Sequence, residues 1–276
     1  MRIDAHHHFW LLQGNESGQP IPTRPQLQRD FRPSDLKPHI DRHHVKKTIL
    51  VQAKWTAAST MLELAKDADF VAGVVGIADL GAANVGELIK TLAADPALVG
   101  LQPTLPSNAD GEWSANPGHA TALAAMAADK MVLELPTLPR QNSGLLGELD
   151  RHPDIAIVVD HGAKSFIRDG QLDPWRKDIS AMAKHTRAVC KLSGLVTEVG
   201  ENWRVARLRP YVEHLLNEFG PERLLWGSGW PVVDLAGGYD RWMEASEALL
   251  GGLDEAQWNA VFGDNAERIY LSRNKA

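Results

Sequence analysis

The sequence predicts a (β/α)8 barrel, the TIM-barrel architecture, as a single domain over residues 1–276. Three observations predict it. Short apolar runs alternate with helix-length segments about eight times along the chain, a rhythm that fits a closed parallel barrel of about 250 residues. Those runs lack polar alternation, as expected of strands buried on both faces. No Gly-x-Gly-x-x-Gly follows the first run, which argues against a doubly wound cofactor-binding sheet, and no Pro/Gly/Ser-rich linker marks a second domain.

The elements follow in order. Arg2 to Ala5 reads as the first strand and runs straight into His6-His7-His8. Leu11 to Pro33 is broken by Gly14, Gly18, Pro20, Pro22, Pro25 and Pro33, so it is expected to be irregular and to lie over the mouth of a site. Ser34 to Arg42 is a short helix capped by Ser34. The strands Thr48–Gln52, Val71–Ala78, Leu98–Gln102, Met131–Leu135, Ile155–Val159, Ala188–Leu192 and Leu224–Trp226 then alternate with helices over Ala57–Asp67, Ala83–Ala94, Gly118–Ala128, Ser143–Arg151, Pro174–Lys184, Val205–Phe219 and Tyr239–Leu250. Two helical pieces, Asp254–Val261 and Asn265–Leu271, close the chain.

Composition narrows the function. Hydrophobic residues make up 44% of the 276, enough for a large core, and 35 acidic residues against 29 basic give a net charge of −6. That balance argues against a nucleic-acid or anionic-membrane partner, and no apolar run is long enough to span a bilayer. Cys190 is the one cysteine, which excludes an intrachain disulfide and a cysteine zinc site. With no signal-like start, a cytoplasmic protein is expected.

In a parallel barrel the chemistry sits at the carboxyl ends of the strands. Side chains alternate along a strand, so His6 and His8 point one way and His7 the other. Two adjacent imidazoles can hold a divalent metal, zinc or manganese, or polarise a carbonyl; the bland reading of three consecutive histidines is the remnant of a tag. His161, in Asp160-His161-Gly162 at the sixth strand end, would converge with them across the mouth. The other ends supply Gln52 and Lys54, Asp79, Gln102, Glu134, Lys191 and Ser193, and Gly227 to Pro231. Trp10, Trp55, Trp113 and Trp230 lie near the mouth, where aromatic faces suit sugar rings, although ordinary packing explains them equally well.

These residues carry a resemblance. The chain is similar over nearly its whole length to the amidohydrolase superfamily, in its branch of L-fuconolactonase-like sugar-lactone hydrolases. The similarity rests on Ile3-Asp4-Ala5-His6-His7-His8-Phe9-Trp10, Val51-Gln52-Ala53, Asp160-His161-Gly162-Ala163-Lys164, Cys190-Lys191-Leu192-Ser193-Gly194-Leu195-Val196-Thr197-Glu198, Trp226-Gly227-Ser228 with Trp230-Pro231, and the tail Phe262-Gly263-Asp264-Asn265-Ala266. It implies a barrel that opens a lactone by attack of activated water on the carbonyl, with His6, His8 and His161 at the positions that bind a divalent metal or polarise that carbonyl.

The sequence also departs from the pattern. Where Gly-Ser-Asp-Trp-Pro is expected, Gly229 replaces the aspartate that would serve as general base, Gln102 stands in place of an arginine, and Pro106 in place of a glutamine. The expectation is therefore a hydrolase of a sugar-acid lactone or related cyclic ester, impaired at Gly229 unless another group replaces the missing base. His6, His8, His161 and Glu134 are expected in catalysis, with Glu134 or Asp160 standing in as base; Trp10, Lys54, Gln102 and Trp230 are expected to bind substrate; no organic cofactor is expected. The alternative is a non-catalytic ligand-binding protein on the same scaffold.

Overall fold

The computed structural model describes residues 1–12, 23–104, 116–136, 146–147, 149–163, 167–200 and 202–272. The expected helix Ser143–Arg151, Trp113, Pro106 and part of the Leu11–Pro33 stretch lie wholly or partly outside the described residues.

Eight strands form one parallel sheet in sequence order: β1 Arg2–His7, β2 Val45–Val51, β3 Val71–Ala78, β4 Leu98–Pro103, β5 Val132–Leu135, β6 Ala156–Val159, β7 Val189–Leu192 and β8 Leu224–Trp226. Described helices lie between and after them: α1 Pro33–Arg42, α2 Ala58–Lys66, α3 Val85–Ala93, α4 Pro117–Ala128, α5 Trp175–His185, α6 Leu195–Val199, α7 Val205–Phe219, α8 Gly238–Leu249, α9 Glu255–Asn259 and α10 Asn265–Tyr270. The architecture is a (β/α)8 barrel, nearly closed. The seam between β8 and β1 is joined beyond the end of β8, where His8 N donates to Trp230 O at 2.7 Å and Gly229 N donates to His6 O at 2.8 Å.

The interior follows from side-chain alternation. Ile3, Ala5, Ile49, Val51, Val75, Val99, Val132, Val158, Val189 and Leu225 fill the barrel, all buried, and Ala266, Tyr270 and Leu271 of the C-terminal segment plug one end. Burial of each valine, leucine or isoleucine among them contributes roughly 1.5–3 kcal/mol. The outward-facing residues of the same strands meet the helices in a second, larger cluster.

One local irregularity places the site. Ile3 and Ala5 belong to the barrel interior, so strict alternation would turn His6 outward. The pairing of β1 with β2 shifts between Asp4 and His7, and that extra residue turns His6 inward. Such bulges re-aim side chains beside functional sites. The Asp4 carboxylate holds the kink, accepting from His6 N at 3.2 Å and from Ser228 N at 2.8 Å. His7 then faces away and meets the Thr48 hydroxyl at 2.8 Å. The histidine run is thus part of the barrel wall, which disposes of the tag reading.

Candidate active site

His6 and His8 bring their Nε2 atoms to 3.2 Å of each other, and the His6 ring lies 4.4 Å from that of His161 between centroids. The three histidines expected to converge do so. Each is oriented from behind. His8 Nδ1 donates to Val51 O at 2.7 Å, which leaves Nε2 as the acceptor. His161 Nδ1 pairs with the Ser193 hydroxyl at 2.8 Å. His161 sits at φ 53°, a left-handed conformation rare for a side chain of its size. Gly194, at φ +65°, makes room for it: a β-carbon there would fall 2.7 Å from His161 Nδ1.

Beneath the histidines lies a fully buried polar knot. Lys191 Nζ donates to Glu134 Oε1 at 2.6 Å, stands 3.1 Å from Asp160 Oδ1 and meets His6 Nδ1 at 3.2 Å. Gln102 donates to Asp160 Oδ2 at 2.7 Å and to Glu134 Oε2 at 3.2 Å. The Tyr270 hydroxyl, arriving from α10, donates to Glu134. Because the Lys191 ammonium can only donate, His6 Nδ1 at 3.2 Å is an acceptor and its proton lies on Nε2, aimed at His8.

Charges follow from the knot. Burial pushes the Asp160 carboxyl up, but Lys191 and His6 outweigh it and hold it well below the usual carboxylate range. Burial, helped by Asp160, raises Glu134 to about 7 against the pull of Lys191. Burial lowers Lys191, yet Asp160 and Glu134 together raise it above its ordinary value, so it stays charged. Burial also pushes His6 well below its ordinary value and His8 down to about 4; both are neutral at pH 7.

A pocket of about 180 Å³ opens over this layer, lined by His8, His161, Gly194, Thr197, Glu198, Ser228, Gly229 and Val232. Several expected substrate contacts are elsewhere. Trp10 is fully buried against Phe31 and Trp55, with Nε1 bonded to Arg29 O. Trp230 is buried between Phe9 and Phe31. Both are covered by the segment that carries Phe31, which strand-end reasoning could not foresee. Lys54 is exposed on the turn after β2, outside the pocket lining. Gln102 bridges two carboxylates instead of facing the pocket. Glu134, offered by the sequence as a replacement base, has both oxygens engaged and no exposure; it fixes Lys191 from behind. Thr197 and Glu198 were not expected to line the site; Ser228 was, as part of the eighth strand end.

The donors also fit a divalent metal. His6, Asp160 and His161 each place one ligand atom within 4.8 Å of the others, and two imidazoles with a carboxylate suit zinc or manganese. Asp160 Oδ1 is buried without an aligned hydrogen bond, its 3.1 Å approach to Lys191 being an ion pair only. An ion bound there would lie beside an ammonium, which weakens its attraction to the site.

The amidohydrolase family model matches residues 3–271. The chain belongs to the amidohydrolase family. Among relatives of this amidohydrolase, the L-fucono-1,5-lactonase of Burkholderia ambifaria is 38% identical over 278 residues, covering 98% of this chain and 95% of that protein. The L-fucono-1,5-lactonase of Burkholderia multivorans is 32% identical, covering 98% and 96%. A crystal structure of an amidohydrolase from Burkholderia multivorans with bound zinc superposes with a TM-score of 0.84 at 31% identity, over 98% of this chain and 99% of that one. No helix among the described residues is long and apolar enough to cross a membrane.

Proposed function

We propose that the protein hydrolyses a sugar-acid lactone, opening the ring ester by attack of water on the carbonyl. The observation that carries this reading is the pocket floored by His8 and His161 and backed by His6, in a chain 38% identical along its length to an L-fucono-1,5-lactonase. Ester hydrolysis needs a donor aimed at the developing oxyanion and an acceptor for the proton of water. With Ser193 donating to Nδ1 of His161, the proton of that ring lies on Nε2 and serves as the donor to the carbonyl oxygen. The Nε2 lone pair of neutral His8 takes the Nε2 proton of His6, so His8 steadies His6 and walls the pocket. His6 relays the field of Lys191 to His8 through its own Nε2 proton. A divalent ion held by His6, His161 and Asp160 would require both rings to give up a proton, and would supply Lewis-acid polarisation of the carbonyl in place of the His161 donor.

The test is a pH-indicator screen of the purified protein over five- and six-membered sugar lactones, L-fucono-1,5-lactone among them. Turnover is expected; no turnover across the panel would overturn the proposal. Gly229 favours a second reading, a binding protein without chemistry, which requires lactones to raise the melting temperature without being consumed. Elemental analysis accompanies the screen. His6→Ala and His161→Ala are each expected to reduce bound zinc or manganese, and equal metal content in wild type and variants would remove the metal role from both residues.

A further inference from the structure

The pocket holds a carboxylate that no other part of the site uses. Glu198, half-buried on α6, lines it together with His8, His161 and Gly229. It is the one acidic residue among the described pocket residues. The carboxylates below cannot take its place. Asp160 is buried against Lys191 and Gln102, and Glu134 is enclosed by Lys191, Gln102 and Tyr270. Glu198 forms no ion pair or hydrogen bond among the described residues, so its oxygens are available to the pocket.

The geometry around Gly229 shows why a carboxylate from another wall can serve. A β-carbon at position 229 would have nothing nearer than Gly194 N at 3.8 Å. Gly194 immediately precedes α6, and Glu198 lies one turn further along that helix. The space left at position 229 is therefore continuous with the wall that carries Glu198. Helix α6 itself is held in place, because Gly194 backs the ring of His161 and the Thr197 hydroxyl donates to Gly194 O at 2.7 Å.

We infer that Glu198 is the general base of this site. The inference rests on the lactonase reading. The Glu198 carboxylate takes a proton from the attacking water, whose oxygen forms the new bond to the lactone carbonyl carbon. His161 donates to the carbonyl oxygen as it becomes an oxyanion. When the tetrahedral adduct collapses, the bond from that carbon to the ring oxygen breaks. The proton on Glu198 passes to the departing ring oxygen, which becomes the hydroxyl of the open hydroxy acid. One water is consumed, and Glu198 returns to its starting state.

The test is Glu198→Gln, which keeps the size and polarity of the side chain and removes the base. On a lactone that the wild type hydrolyses, kcat should fall by about 10²- to 10⁴-fold, the usual worth of a positioned base. KM and thermal stabilisation by the lactone should be retained. An unchanged kcat in Glu198→Gln overturns the inference. So does a parallel loss of lactone stabilisation. Failure of the lactonase reading is distinct: the wild type itself would turn over no lactone.

Discussion

At the scale of the residue, the site depends on which side chains are absent as much as on which are present. Gly194 has no β-carbon, and His161 occupies that room. Gly194→Ala would force a methyl group to 2.7 Å from His161 Nδ1 at a backbone φ of +65°. Left-handed strain alone costs an alanine about 1–2 kcal/mol. Displacing a positioned group by about 1 Å can cost about 10²-fold in rate. The expected result is a lower urea midpoint together with a loss of kcat of that order; a variant with the wild-type midpoint and kcat would show that His161 is not held by this contact. His6, His8 and His161 were legible in the sequence, because strand-end position and alternation are enough to make them converge. Glu198 was legible only as a letter in the seventh-strand motif. It lies beyond the strand end, on a five-residue helix that the chain's periodicity does not announce. Trp10 and Trp230 were misread because nothing in their local sequence tells that Phe31 packs over them.

At the scale of the element, the knot ties five strands and the last helix around one ammonium, His6 of β1 included. Gln102 comes from β4, Glu134 from β5 and Lys191 from β7; Asp160 directly follows β6, and Tyr270 ends α10. Breaking a buried ion pair by removing one partner typically costs about 3–5 kcal/mol, because the remaining charge stays buried and unpaired. Lys191→Met leaves two carboxyl groups in that state. It is expected to lose about 3–5 kcal/mol in urea unfolding, and Lys191→Met/Glu134→Gln should recover part of the loss by removing one of the acids. A single variant as stable as the wild type, or a double no better than the single, would mean that the lysine is not what makes these acids tolerable. Strand ends revealed Glu134, Asp160 and Lys191 separately. The knot itself was not legible, since Tyr270 enters through the far end of the barrel and has no strand-end signature. The extra helix α6 was likewise absent from the sequence reading, and β2 begins at Val45, earlier than its apolar run suggests.

At the scale of the whole molecule, the strand–helix rhythm was enough to foresee eight parallel strands in sequence order, because burial on both faces removes polar alternation from every one of them. What the rhythm could not foresee is how many ionisable groups the closed barrel takes out of water, and these set its response to acid. Burial lowers His6 and His7 well below their ordinary value of 6.5 and His8 to about 4. Between pH 4 and 6.5 the unfolded chain takes up protons on these three histidines that the folded chain refuses. That difference makes stability fall as pH falls. Asp4, raised by burial to about 6, and Glu134, raised to about 7, act in the opposite sense, since the folded chain keeps protons there that the unfolded chain has lost. Three histidines against two carboxyls leave an excess of about one proton on the unfolded side near pH 5.5, or about 1.4 kcal/mol of stability lost per pH unit of acidification. His7 allows the balance to be tested without touching the pocket, because it faces Thr48 on the other side of β1. His7→Gln removes one of the three histidines and should bring the slope close to zero. Urea unfolding at pH 4.5, 5.5 and 6.5 measures both slopes. A wild type that weakens steadily toward pH 4.5 beside a nearly flat variant is expected; identical slopes would mean that His7 is protonated in the folded barrel and that burial does not control its charge.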